Sequence, residues 1–205
     1  GWNPGDDREM FTLEEAAKVF SLDKVVKSSA RFSPDKARWF NEQYLRQKPM
    51  AELVPALIEI AGLQRITLDE RDAGVVLKLM LERVTFLHEI LEAKWLFGAP
   101  KHEDFDEKMV RKKWKPETAG YMSDLKTMLA STTSFKADEI ESRFKSHLEE
   151  KDLSFGQVLL PFRLALTGAG GGPSMFEFAE FLGLETTLER LDFGTSMIEK
   201  MKEEQ

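Results

Sequence analysis

The run TGAGGGP, with Gly168, Gly170, Gly171 and Gly172 ahead of Pro173 and Ser174, is the plainest place in this sequence to look for chemistry. A glycine-rich loop before a helix can cradle phosphate with backbone amides and the positive end of the helix. Its spacing is not that of a dinucleotide fingerprint, and it follows a predicted helix instead of a strand, so a nucleotide cofactor is not expected. The plainer reading is a flexible connection between two helices. Lys108, Arg111, Lys112, Lys113 and Lys115 gather around Trp114. Such a cluster can bind phosphate and stack a base, or it can be a solvated linker with the tryptophan in the core. The three histidines, His88, His102 and His147, lack HExxH spacing, and no Walker-type loop occurs. Runs such as Glu149 and Glu150 or Glu203 and Glu204 read as solvated helix faces, and no acid pair stands out. The absence of cysteine removes disulfides, thiolate zinc sites and cysteine nucleophiles together.

Whatever these residues do, helices must position them. Thr12 with Glu15 forms a capping box and predicts a helix from Leu13 to about Phe20. Ser33 followed by Pro34 opens a second that ends before Pro49, and Ala51 to Ala61 makes a third, stopped by Gly62. Thr67 with Glu70 starts the longest apolar pattern, in which Leu77, Met80, Val84, Leu87, Leu91 and Trp95 recur three or four apart. That spacing predicts one continuous helix to about Phe97. Beyond the polar stretch 101–115, helices are expected from Pro116 to Ser131, from Ala137 to Glu150, and across VLLPFRLALTG behind a Ser154–Gln157 box. Two more follow, started by Ser174 with Glu177 and by Thr186 with Glu189. Trp39, Phe40 and Trp95 sit at helical spacing and read as packing residues. No segment alternates with period two, so the fold class is all-α.

The chain of 205 residues is long enough for a real core, and 42% hydrophobic with 32% charged residues fits a helical protein outside the membrane. No apolar run approaches the roughly 20 residues that cross a bilayer, and GWNPGDDRE does not read as a signal peptide. With 29 basic against 36 acidic side chains the net charge is −7, the wrong sign for indiscriminate nucleic-acid binding. A protein that reads a few exposed bases can still carry an acidic outer surface. The charge balance favours a rival reading, a helical protein-interaction domain without RNA contact.

Several segments together resemble the C-terminal region of bacterial glutamyl-tRNA synthetases. GWNPGDDREMFTLEE is similar to the stretch leading out of their catalytic region, and KSSARF (Lys27 to Phe32) with Trp39, Phe40 and Asn41 is similar to their stem-contact segment. LERVTFLHEI resembles the family's ERVKTL-like segment, and PFRLALTG followed by GPSMFEFAEFLG resembles its PLRxALTG and the next helix. The resemblance implies a stem-contact segment over 1–48 and two helical subdomains, 49–115 and 116–205, that form a cage around the anticodon. It implies base contacts from Arg83 and Arg163 and from the loop and helix start at Gly172, Pro173, Ser174 and Met175. Arg83 matches an arginine associated with the third anticodon letter. Without the resemblance both arginines would be read as salt-bridged surface residues. Gly172 replaces a polar residue often found there, which leaves a backbone contact as the expectation at that point. Candidate contacts to the tRNA backbone are Lys27, Arg31, Lys112, Lys113 and Lys115. Neither the HIGH-like nor the KMSKS-like ATP signature occurs in the sequence. The resemblance therefore implies a non-catalytic binding part with no cofactor of its own. ATP and Mg would serve a catalytic domain of the same polypeptide, in the cytoplasm, with tRNA(Glu) as the partner and neither DNA nor membrane.

Overall fold

The computed structural model describes residues 1–27 and 31–204; Ser28, Ser29 and Ala30 of the KSSARF segment, with Gln205, lie outside the described residues. The chain divides into two compact units, Gly1–Gln47 and Lys48–Gln205. Among the described residues no strand forms, and the one β-type feature is an isolated antiparallel bridge between Trp2 and Val25. The described fold is all-α.

In the first unit, helix α1 (Leu13–Val19) starts at the expected capping box, with Thr12 Oγ1 accepting from Glu15 N and the Glu15 carboxylate accepting from Thr12 N. Helix α2 (Pro34–Gln47) begins on proline, and Ser33 Oγ accepts the amide of Lys36 at 3.3 Å. The Trp2 ring meets Phe11 and Phe20, and the Tyr44 hydroxyl donates to the Phe11 carbonyl at 2.8 Å. Trp39 is 41% exposed, so it is not the core residue that its spacing suggested.

The second unit opens with α3 (Met50–Leu63). Gly62 lies inside this helix, whose end is made by Arg65 in the left-handed region at φ 61°. The next helix, α4 (Glu70–Met80), is capped by Asp69, which accepts the Asp72 amide at 2.7 Å; Thr67 and Glu70 do not form the box. The expected single helix to Phe97 breaks at Met80. It continues as 3-10 turns over Leu81–Arg83, Leu87–Glu92 and Lys94–Leu96. The Glu89 carboxylate accepts the amides of Thr85 and Phe86 at 2.7 and 3.0 Å, offering that backbone an alternative to helical carbonyls. Val84, Ile90 and Leu91 stay buried, because a 3-10 turn also brings every third residue to one face.

Asp106 caps a short helix, α5 (Glu107–Lys113), inside the stretch read as a polar boundary. Five longer helices follow: α6 (Thr118–Ala130), α7 (Ala137–Glu150), α8 (Phe155–Thr167), α9 (Met175–Leu182) and α10 (Leu184–Glu203). The last begins directly at Gly183, so Thr186 and Glu189 lie within it and do not cap it. Helix α8 is central, packing on α10, α6 and α5. At Gly194 of α10 a Cβ would stand 1.9 Å from the Ala165 carbonyl oxygen, so only glycine lets the two helices approach this closely. Helix α4 packs on α3 and α9, so elements on either side of residue 115 share one core.

Candidate nucleic-acid interface

The glycine loop is built by close approaches, not by freedom. Gly168 ends α8 at φ 72°, where a Cβ would meet the Asp104 carbonyl oxygen at 2.7 Å, and its own carbonyl accepts Asp106 N at 2.8 Å. The Thr167 hydroxyl donates to the Arg163 carbonyl at 2.8 Å and accepts the Ala169 amide at 3.1 Å. Gly172, at φ 146°, would press a Cβ to 2.8 Å from Arg163 Nη1 and to 3.5–3.6 Å from the benzo edge of Trp95. The two ends of the loop are thus held close to their surroundings, while Gly171 is exposed with nothing near it.

Arg163 lies in the last turns of α8. Its Nη2 donates to the Pro173 carbonyl at 2.8 Å, while Nη1 is buried with no hydrogen-bond partner. Burial, and then the charge of Arg83, hold its pKa below the usual arginine range. Arg83 is exposed in the 3-10 turn Leu81–Arg83, close enough for its charge to be felt at Arg163. Among the described ion pairs neither arginine has a carboxylate. The salt-bridged reading of this pair fails. Two like charges and an unsatisfied donor beside a carbon-poor glycine make a place that accepts an acceptor-rich, planar or anionic group.

A family model described as an anticodon binding domain matches residues 36–195. The chain belongs to the anticodon-binding domain family. It is similar to the glutamate–tRNA ligase of Cytophaga hutchinsonii, 36% identical over 95% of this chain and 38% of that protein. The glutamate–tRNA ligase of Porphyromonas gingivalis is also 36% identical, over 93% of this chain and 38% of its own length. Among solved structures, a glutamate tRNA ligase from Elizabethkingia meningosepticum in complex with its amino acid superposes with a TM-score of 0.88 at 36% identity, covering 96% of this chain and 39% of that one. The glutamate-tRNA synthetase of Elizabethkingia anophelis gives 0.86 at 33% identity, over 96% and 38%. This anticodon-binding domain chain thus spans about two-fifths of the length of the relatives it matches.

Not every residue of the expected set meets at the arginines. Pro173 is buried, and Ser174 starts α9 by accepting the Glu177 amide at 3.4 Å. Met175 is 1% exposed, so its side chain belongs to the core and cannot pack on a base. Lys112, Lys113 and Lys115 lie elsewhere, lining a groove of about 290 Å³ with Tyr121 and the start of α8 at Ser154 and Gly156. Trp114 is 1% exposed and donates Nε1 to Glu199, so the core reading holds and it cannot stack a ligand. Lys27 and Arg31 are exposed in the first unit and precede the matched span 36–195. Among the described residues no group of three or more metal-ligating side chains occurs, and no helix is long and apolar enough to cross a membrane.

Two residues of the site were not among those expected to do chemistry. Trp95 is half-buried against Gly172, with its ring in an edge contact with Phe178 at 5.0 Å. Arg190 is 7% exposed and donates Nη1 to the Trp95 carbonyl at 2.6 Å. A signal existed for it: Thr187, Arg190, Leu191, Gly194 and Ile198 form the buried stripe of α10 at helical spacing, with a charge in the middle.

Proposed function

We propose that this chain reads the anticodon of glutamate tRNA as the C-terminal part of a cytoplasmic glutamate–tRNA ligase. The joining of glutamate, with ATP and magnesium, belongs to the rest of that polypeptide. The observation that carries the reading is Arg163: a buried guanidinium nitrogen without an acceptor among the described residues, close to the charge of Arg83 and to a glycine-rich loop. A base edge supplies the missing acceptor. Anticodon bases are unstacked, and RNA sequence is read mainly on such bases by stacking and by hydrogen bonds to their edges. The Arg83 fork is free to follow the ligand, while Arg163 is fixed by Pro173. Lys112, Lys113 and Lys115, with Lys27 and Arg31, supply phosphate contacts that position the RNA without reading it.

Titration of a labelled stem-loop carrying the glutamate anticodon, at stated salt, tests the reading. Arg83→Ala or Arg163→Ala is expected to weaken binding by about 1–3 kcal/mol and to reduce discrimination against a loop altered in one anticodon base. Lysine-to-alanine changes in the groove should weaken both loops alike and flatten the salt dependence by roughly 0.7–0.9 per lost contact. Equal affinity of the wild-type chain for matched and altered loops would remove anticodon reading from it.

A further inference from the structure

Arg190 occupies a position where an apolar side chain would be cheaper. It lies on the buried stripe of α10, its Nε has no hydrogen-bond partner, and no carboxylate pairs with it among the described ion pairs. Burial alone pushes its pKa down to about 10, a value that still leaves it charged near neutrality. A buried, unpaired guanidinium is a poor way to stabilise a core. What it does touch is specific. Nη1 holds the carbonyl of Trp95, in the 3-10 turn Lys94–Leu96, and the guanidinium stands 5.9 Å from the centre of the Phe178 ring. Phe178 is the ring against which the Trp95 indole makes its edge contact, with planes at 85°. The benzo edge of that indole faces Gly172, where a Cβ would also press on Arg163 Nη1.

The geometry points to Arg190 as a positioning residue of the base-reading site: by gripping the Trp95 carbonyl and facing Phe178, it fixes the indole beside Gly172 and Arg163 as an aromatic wall for an unpaired nucleobase. This rests on the anticodon reading above and adds residues to it. A 3-10 turn has weak internal hydrogen bonds, so the indole needs an external anchor if it is to hold one place. The anchor comes from α10 and not from the glycine loop.

The experiment compares Arg190→Met, which fills similar space without charge or donor, with Arg190→Lys, which keeps both, in the complete 205-residue chain. With the matched anticodon stem-loop, Arg190→Met is expected to lose about 10-fold in affinity, the scale of one weakened stacking contact, at an unchanged or raised melting temperature. Arg190→Lys should recover most of that loss. Intrinsic fluorescence supplies an arm without RNA: Arg190→Met should shift emission when Trp95 is present and leave it unmoved in a Trp95→Phe background. Matched-loop binding by Arg190→Met equal to wild type, or no recovery by lysine, overturns the positioning role. So does a disordered Arg190→Met chain whose emission shifts in both backgrounds, which would make Arg190 a core residue only. If the wild-type chain binds no loop, the anticodon reading fails, while the emission comparison still decides whether Arg190 sets Trp95.

Discussion

The two units solve the same problem, holding short helices in place, with unequal means. In Gly1–Gln47, Leu45 is the one buried residue among those described, while Leu13, Leu22 and Phe32 are 77–82% exposed. Its helices are fixed by local devices: the Thr12–Glu15 box, proline at the start of α2, and a few ring contacts around Trp2. In Lys48–Gln205 the helices pack on one another, with α8 against α10, α6 and α5, and Leu57, Leu125, Phe144, Phe162 and Ile198 have no exposure at all. Hydrophobic burial is the main favourable term in folding, so the second unit holds by far the larger share of it. A site that must hold a buried, unsatisfied arginine needs the rigid unit, and Arg163 is found there.

The hardest blow to this contrast falls at the α8–α10 crossing. Gly194→Val places carbon where the Ala165 backbone already lies, and backbone cannot yield as a flexible side chain does. Cooperative unfolding of the second unit is expected to disappear in urea titrations followed by circular dichroism. A cooperative transition near the wild-type midpoint would show that the crossing is looser than it looks. A smaller test uses matched truncations. Phe162→Ala should destabilise by about 3–5 kcal/mol, whereas Leu13→Ala should change the same transition by less than about 0.5 kcal/mol. Similar losses from both would mean that the first unit shares in the core.

The contrast also explains what the sequence disclosed. Helix α7 was readable to the residue, because Ile140, Phe144 and Leu148 mark one face and lie between clear polar neighbours. The capping boxes at Thr12 and Ser154 marked their helices because that signal is carried by side chains three apart. The break after Met80 was hidden, since apolar residues three apart suit α and 3-10 geometry alike. Short α5 carries no such signal, because it buries a single residue, Val110, in a run of charges. In the site, Arg83, Arg163 and the glycine loop were picked out by resemblance, yet their meeting is tertiary and no spacing encodes it. Arg190 is hard to read from the sequence, because it is the one charged residue on an otherwise uncharged buried stripe.

The finest difference between the units lies in how a helix start is satisfied. Helix α1 is capped by its own neighbours, but Lys136 offers α7 no side-chain cap, and the task falls to Glu180 on α9. Its carboxylate accepts Lys136 Nζ at 2.8 Å and the Ala137 amide at 2.7 Å, and these bonds, the lysine's first, hold its pKa below the usual 4.5. A carboxylate with a lowered folded-state pKa adds stability that is fully present above its unfolded value and fades as pH falls through the folded one. The loss therefore lies below pH 4.5, on the acid side. With the side chain 35% exposed, screening keeps the contribution to no more than about 1 kcal/mol. Glu180→Gln retains an acceptor for α7 but not the charge, and should flatten the fall in unfolding free energy between neutral pH and pH ~3 by lowering the neutral value, by no more than about 1 kcal/mol. Glu15, whose pKa the Thr12 amide likewise holds below its usual value, should on replacement by Gln flatten the slope in the same direction. A slope untouched by Glu180→Gln would mean that α7 starts without help from α9, and that helix ends in the packed unit are as self-sufficient as those in the exposed one.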